Sequence, residues 1–146
     1  MNSFLRAIKC PKGTSYKLKA WTPVLLWAAI IFYFSSNPNP YHYLPASWRS
    51  AVPLPTISTS SAAELLGQLM HFVEYTILAF LVYRALHHTL PASQKINLLT
   101  IIFTLVFALS DEIHQLYVPG RAFQIIDLII DFLGILFGVI ISEIKD

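Results

Sequence analysis

A lone cysteine, Cys10, has no partner within the chain, so an intramolecular disulfide and a cysteine metal cluster are both excluded. Charge is scarce too: Asp, Glu, Lys and Arg make up only 12% of 146 residues, well below the share of an ordinary soluble domain. A formal net charge of +2, with no Lys/Arg-rich helix and no basic-aromatic platform, excludes nucleic acid as a partner. Internal repeats and low-complexity tracts are also missing. What the chain has instead is apolar surface. Its 55% hydrophobic content and mean hydropathy of +0.59 are those of a membrane protein, and its length allows one compact domain.

A spanning helix needs about 20 mostly apolar residues, and four stretches qualify, at about 20–36, 64–86, 96–117 and 123–141. The expected fold is all-α, a membrane four-helix bundle over residues 20–142, preceded by a basic segment at 1–19 and interrupted by a Pro- and Ser-rich outer loop at 37–63. Pro23 fits the opening turn of the first helix, and Asn37-Pro38-Asn39-Pro40 ends it. The loop has room for a short interfacial helix or re-entrant piece near Leu54–Glu64, and Pro91-Ala92-Ser93 marks the turn between the second and third helices. Trp21, Tyr33, Tyr41, Tyr43, Trp48 and Tyr117 fall near helix ends, as rings do at headgroup level.

Lys and Arg set orientation. Arg6, Lys9, Lys12, Lys17, Lys19, Arg84, Lys95 and Lys145 mark one side, and only Arg49 and Arg121 the other. The chain is expected to be multi-pass in the cell membrane with both termini cytoplasmic. Phe32-Tyr33-Phe34-Ser35-Ser36 lacks a small-x-small cleavage pattern, so the first segment is expected to remain as a helix. The partner implied throughout is the lipid bilayer, and exposed apolar faces leave room for a homodimer.

This threading segregates the acids: Glu64, Glu74, Asp111, Glu112, Asp127 and Asp131 fall in the outer half, Glu143 and Asp146 in the inner. His71 and Glu74 are spaced i, i+3; Asp111, His114 and Gln115 are i, i+3, i+4; Asp127 and Asp131 are i, i+4. Each set should share a helix face, and the last stripe continues into Gly134 and Gly138, a small-xxx-small pattern for close helix approach. A carboxylate at helix centre costs about 3 kcal/mol on insertion scales. Several at depth therefore require pairing, protonation or a bound cation. Arg121, delivered by Val118-Pro119-Gly120, is the expected counter-ion over a pocket that opens outward.

Ser110-Asp-Glu-Ile-His-Gln-Leu-Tyr-Val-Pro-Gly-Arg121, followed by Asp127, Asp131 and Phe-Leu-Gly134, closely resembles the VanZ-like family of small integral membrane proteins. His71-Phe-Val-Glu-Tyr75 is similar to that family's second-helix motif and Phe34-Ser-Ser-Asn-Pro38 to the end of its first helix, with Asn37 where the family often has glutamine. The resemblance covers roughly residues 21–141. It implies a link to teicoplanin resistance, after which the family is named, although most members have no assigned biochemical activity.

Three chemical readings follow. In the first, the site acts in envelope biology by capturing a cationic or amphipathic ligand such as a glycopeptide, or by shielding its target. In the second, a metal-assisted hydrolase or transferase acts on a lipid-linked cell-wall precursor. A divalent cation would sit among Glu74, Asp111, Asp127 and Asp131, with His71 or His114 as ligand or base and Arg121 on a phosphate. Asp111, His114, Glu74 and Arg121 are the expected catalytic groups, and His71, Glu112, Gln115, Asp127 and Asp131 the binding or supporting ones. In the third, the charges form a buried ion network that fixes helix register without chemistry. Transport is disfavoured, because the inner halves of the helices are almost wholly apolar.

Overall fold

The computed structural model describes residues 14–38, 59–91 and 95–145. Four helices account for most of them: α1 (Thr14–Ser35), α2 (Thr59–Thr89), α3 (Ile96–Gln115) and α4 (Ile125–Lys145). Each is long and apolar enough to cross a membrane. Cys10 and the basic residues around it, most of the 37–63 connection and the Ala92-Ser93 part of the expected turn lie outside the described residues.

The helix ends differ from those expected from hydropathy. α1 begins at Thr14 and α2 at Thr59, several residues before their apolar segments, and α2 continues to Thr89. A helix satisfies its own backbone, so nothing ends it where hydrocarbon gives way to headgroup. Pro23 consequently stands inside α1 rather than in its first turn. There it deprives the Lys19 carbonyl of an N–H partner. The Thr22 hydroxyl donates to the neighbouring Leu18 carbonyl at 2.9 Å. His87 and His88, just past the expected end of the second apolar segment at residue 86, occupy the last turn of α2, where His87 stacks on Tyr83 and His88 meets Tyr16 edge-on.

α3 ends earlier than expected. The Leu116 N–H bonds to the Ile113 carbonyl at 3.2 Å and the Tyr117 N–H to the His114 carbonyl at 2.9 Å. Three-residue bonds tighten the last turn, and Pro119 then disfavours helix at the residue before it.

α2 is the central element, touching all three other helices, and its contact with α4 is the most extensive. Small residues make that contact possible. A Cβ on Gly134 would stand 2.5 Å from the Phe72 carbonyl oxygen, and one on Gly138 would collide with the Thr76 carbonyl oxygen. The Thr76 hydroxyl joins the two backbones through the Phe72 carbonyl at 2.7 Å and the Gly134 carbonyl at 3.1 Å. Tyr75, Leu78, Ala79 and Val82 of α2 pack with Ile31, Ala108 and Ile135 in the core. α3 buries Ile96, Thr100, Thr104, Ala108, Asp111 and Gln115, a stripe recurring every three or four residues. Thr100 and Thr104 tolerate burial because each hydroxyl bonds to the carbonyl four residues back at 2.8 Å.

Large apolar side chains cover the outside, among them Leu25, Phe103, Val106, Ile129, Leu133 and Ile140. In water such a surface would aggregate; in lipid it is the expected exterior. The chain is a multi-pass membrane protein. α1 is fastened to α2 by the Trp27 indole N–H, which donates to the Glu74 carbonyl at 2.9 Å.

Candidate functional site

The end of α1, the first half of α2, the end of α3 and the start of α4 meet at one end of the bundle. His71 and Glu74 lie six and nine residues inside the span that starts at Leu65, about 9 and 14 Å along the axis at 1.5 Å per residue. Asp111 is four residues from the end of α3, and Asp127 and Asp131 are two and six residues into α4. The polar groups of three helices thus share a level.

His71 is the hub. Its Nδ1 lies 2.9 Å from Asp131 Oδ1, and its Nε2 lies 4.0 Å from Asp127 Oδ2. Asp131 is wholly buried, and its second oxygen, Oδ2, has no hydrogen-bond partner. Glu112, also 0% exposed, accepts from the Gln124 backbone N–H at 3.0 Å and from the Gln115 amide at 3.3 Å. It holds the start of α4 against the end of α3. One donor atom each from His71, Glu112 and Asp131 falls within 4.8 Å of the others. Tyr75, one turn beyond His71 and stacked on it at 6.4 Å, buries a hydroxyl that lacks a partner.

Beside this group opens a cavity of about 270 Å³, lined by His71, Glu74, Asp111, Gln115, Arg121 and Asp127 among others. Asp111, 4% exposed, accepts from Gln115 at 3.2 Å through Oδ2, while Oδ1 is buried without a partner. Arg121 faces the acids across the cavity. Among the described residues no carboxylate comes within 4.0 Å of its guanidinium, and its Nε is a buried donor with no partner. The turn sets Arg121 over the space between the helices rather than onto one acid.

That turn depends on Gly120, whose φ of +82° lies in the left-handed region. A Cβ there would meet nothing closer than 4.0 Å, so only backbone strain opposes substitution. Gly120→Ala is expected to lower stability by about 1–2 kcal/mol and Gly120→Asn by less, because asparagine visits this conformation more readily. Thermal unfolding in detergent checks the ranking; equal stability of both variants with the parent would remove the strain argument.

The structure gathers His71, Glu74, Asp111, Gln115, Arg121 and Asp127 at the cavity, with Glu112 and Asp131 packed behind His71. It does not bring His114 there. His114 stacks on Phe32 at 4.3 Å and hydrogen-bonds the Ser36 hydroxyl at 3.0 Å, facing α1. Residues i+3 and i+4 lie on either side of residue i, about 100° apart, and α3 is rotated so that Gln115 accompanies Asp111 to the cavity while His114 turns towards α1. Sequence reasoning passed over Gln68 and Gln124, which line the cavity, and treated Ser35 only as part of a motif. The spacing of Gln68 three residues before His71 was the available signal for the first. Ser35 buries an unpartnered hydroxyl in the cavity wall.

No curated protein and no solved structure matches the chain. The VanZ/LLP1 family model matches residues 20–146, which include every residue of the site and all four apolar spans except 15–19 at the start of the first. On that match, the protein belongs to the VanZ/LLP1 family.

Proposed function

We propose that the cavity opens to the outer face of the cell membrane and binds a ligand of the envelope, lowering susceptibility to glycopeptides of the teicoplanin type. The observation that carries this reading is the cavity itself, with Glu74, Asp111, Asp127, His71 and Arg121 converging on about 270 Å³ of space. Lys17, Lys19, Arg84 and Lys95 lie at the other end of the helices, and among the described residues Arg121 is the one Lys or Arg at the cavity end. That asymmetry supports the outward orientation. Ligand pockets for whole drug-sized molecules run from about 300 to 1,000 Å³. This cavity suits one cationic group or headgroup of a larger molecule, with the remainder held outside or in lipid.

Asp111→Asn is the test. In a sensitive bacterium with matched membrane levels, the parent is expected to raise the inhibitory concentration of teicoplanin, and the variant is expected to lose most of that protection. Protection by neither protein would leave the resistance reading without support; equal protection by both would remove the cavity from it.

A second reading, a hydrolase or transferase acting on a lipid-linked cell-wall precursor, is favoured by the His71–Asp131 contact. In the tautomer that donates Nδ1–H to Asp131, Nε2 is left basic and directed towards Asp127 and the cavity. A base oriented by a third group is the arrangement that general-base chemistry requires. Arg121, across the cavity, suits a phosphate.

A further inference from the structure

We infer that the buried His71, Glu112 and Asp131 side chains form a binding site for one divalent transition-metal ion, behind the cavity rather than in it. The inference rests on reading the acidic end of the bundle as a ligand site. It differs from the sequence expectation in both membership and place: Glu112 replaces Glu74, Asp111 and Asp127.

Geometry comes first. The three side chains come from α2, α3 and α4, and each offers a donor atom within 4.8 Å of the other two. A tetrahedral ion with ligand bonds of about 2.0–2.2 Å sets its donors roughly 3.4 Å apart, so a contraction of up to about 1.4 Å on rotatable side chains completes the site. His71 Nδ1 and Asp131 Oδ1 are already closer than that, at 2.9 Å. A proton holds them together where an ion would separate them slightly.

Asp131 supplies the independent observation. Its side chain is 1% exposed, and while Oδ1 meets His71, Oδ2 is buried with no hydrogen-bond partner. A carboxylate oxygen left unsatisfied inside a membrane bundle is costly, and buried polar groups without partners call for an occupant. The Tyr75 hydroxyl on the next turn is a second buried group without a partner.

Charge points the same way. At this end of the bundle the described residues set Glu74, Asp111, Glu112, Asp127 and Asp131 beside one arginine, Arg121, and two histidines, His71 and His114. Two carboxylates and a neutral imidazole balance a dication, and the low dielectric of the bundle rewards that balance. The imidazole favours Zn²⁺ over Mg²⁺ or Ca²⁺, and the carboxylates admit Mn²⁺. Glu112 is held from behind by the Gln124 N–H and by Gln115, as ligating carboxylates usually are.

The test uses the full chain in mild detergent, loaded with Zn²⁺ or Mn²⁺, washed free of excess metal and measured for metal content. The expected result is about one ion per chain in the parent and in His114→Gln, with at least a tenfold loss in His71→Gln and Glu112→Gln. Failure of the parent to retain either ion, retention of Mg²⁺ instead, or equal loss in His114→Gln would overturn the assignment. Should the variants fail to fold, X-ray absorption on the zinc-loaded parent decides: one imidazole nitrogen with oxygen donors supports the site, and a sulfur neighbour would move the ion to Cys10. Metal content is read without antibiotic, so its outcome is separate from that of the susceptibility assay.

Discussion

Gly134→Ala and Gly138→Ala are each expected to destabilise the bundle by about 1–3 kcal/mol, the usual range for overpacking, and Gly138→Leu to prevent stable folding. Each added Cβ meets backbone rather than a movable side chain. At Gly134 it would approach the Phe72 carbonyl oxygen to 2.5 Å and the carbon atoms behind it to 3.3 Å. At Gly138 it would collide with the Thr76 carbonyl oxygen and come within 2.9 Å of the Ala79 methyl. Relief requires α2 and α4 to separate, and separation lengthens the hydrogen bond from Thr76 to the Gly134 carbonyl. In lipid no hydrophobic gain compensates, because helices associate there through packing and hydrogen bonds. Thermal unfolding in detergent, with an alanine at the exposed Ile140 as control, measures the effect. Stability equal to the control at both glycines would show that the helices are not held at this distance.

Asp131→Ala should be the most damaging substitution at the site, with a loss of the order of 3–5 kcal/mol, as is typical when one partner of a buried pair is removed. The His71 ring would keep its desolvation and lose its acceptor at 2.9 Å. Asp131→Asn should lose less, since the amide oxygen can still accept from Nδ1. The double variant His71→Leu/Asp131→Leu separates structure from function. Replacing a whole buried pair with apolar residues is often neutral, so the double variant should recover much of the stability while any ligand-dependent activity stays lost. Measuring unfolding for all three variants tests this, and an Asp131→Ala protein as stable as its parent would refute it.

The four-helix membrane fold was legible because bilayer thickness imposes a length on apolar segments. A close-packing face on α4 was legible because Gly134 and Gly138 repeat at helical spacing, but not that α2 is the helix it meets. Helix ends were less so: the basic segment at 1–19 and the loop at 37–63 read as flanking the spans, yet α1 begins at Thr14 and α2 at Thr59. At the site, residue spacing identified the groups on each helix, but not how that helix was rotated against its neighbours. That rotation separates His114 from Asp111, and turns Glu112 towards His71 while the adjacent Asp111 faces the cavity. The inward positions of α3 were already visible in the recurrence of Thr100, Thr104 and Ala108. Continuing that stripe reaches Asp111, Glu112 and Gln115, all of them buried, and leaves His114 on its edge, but does not say which of them faces the cavity.

Trp27 gives the molecule a built-in optical probe. Its indole rests on the backbone oxygen of Glu74, a residue of the cavity wall, so a ligand that displaces this stretch of α2 changes the polarity and hydrogen bonding around the ring. Trp21, packed against Phe103 away from the cavity, offers an internal reference. Occupancy of the site can therefore be followed by the emission of the unlabelled protein in lipid, with Trp21→Phe and Trp48→Phe isolating the reporting ring.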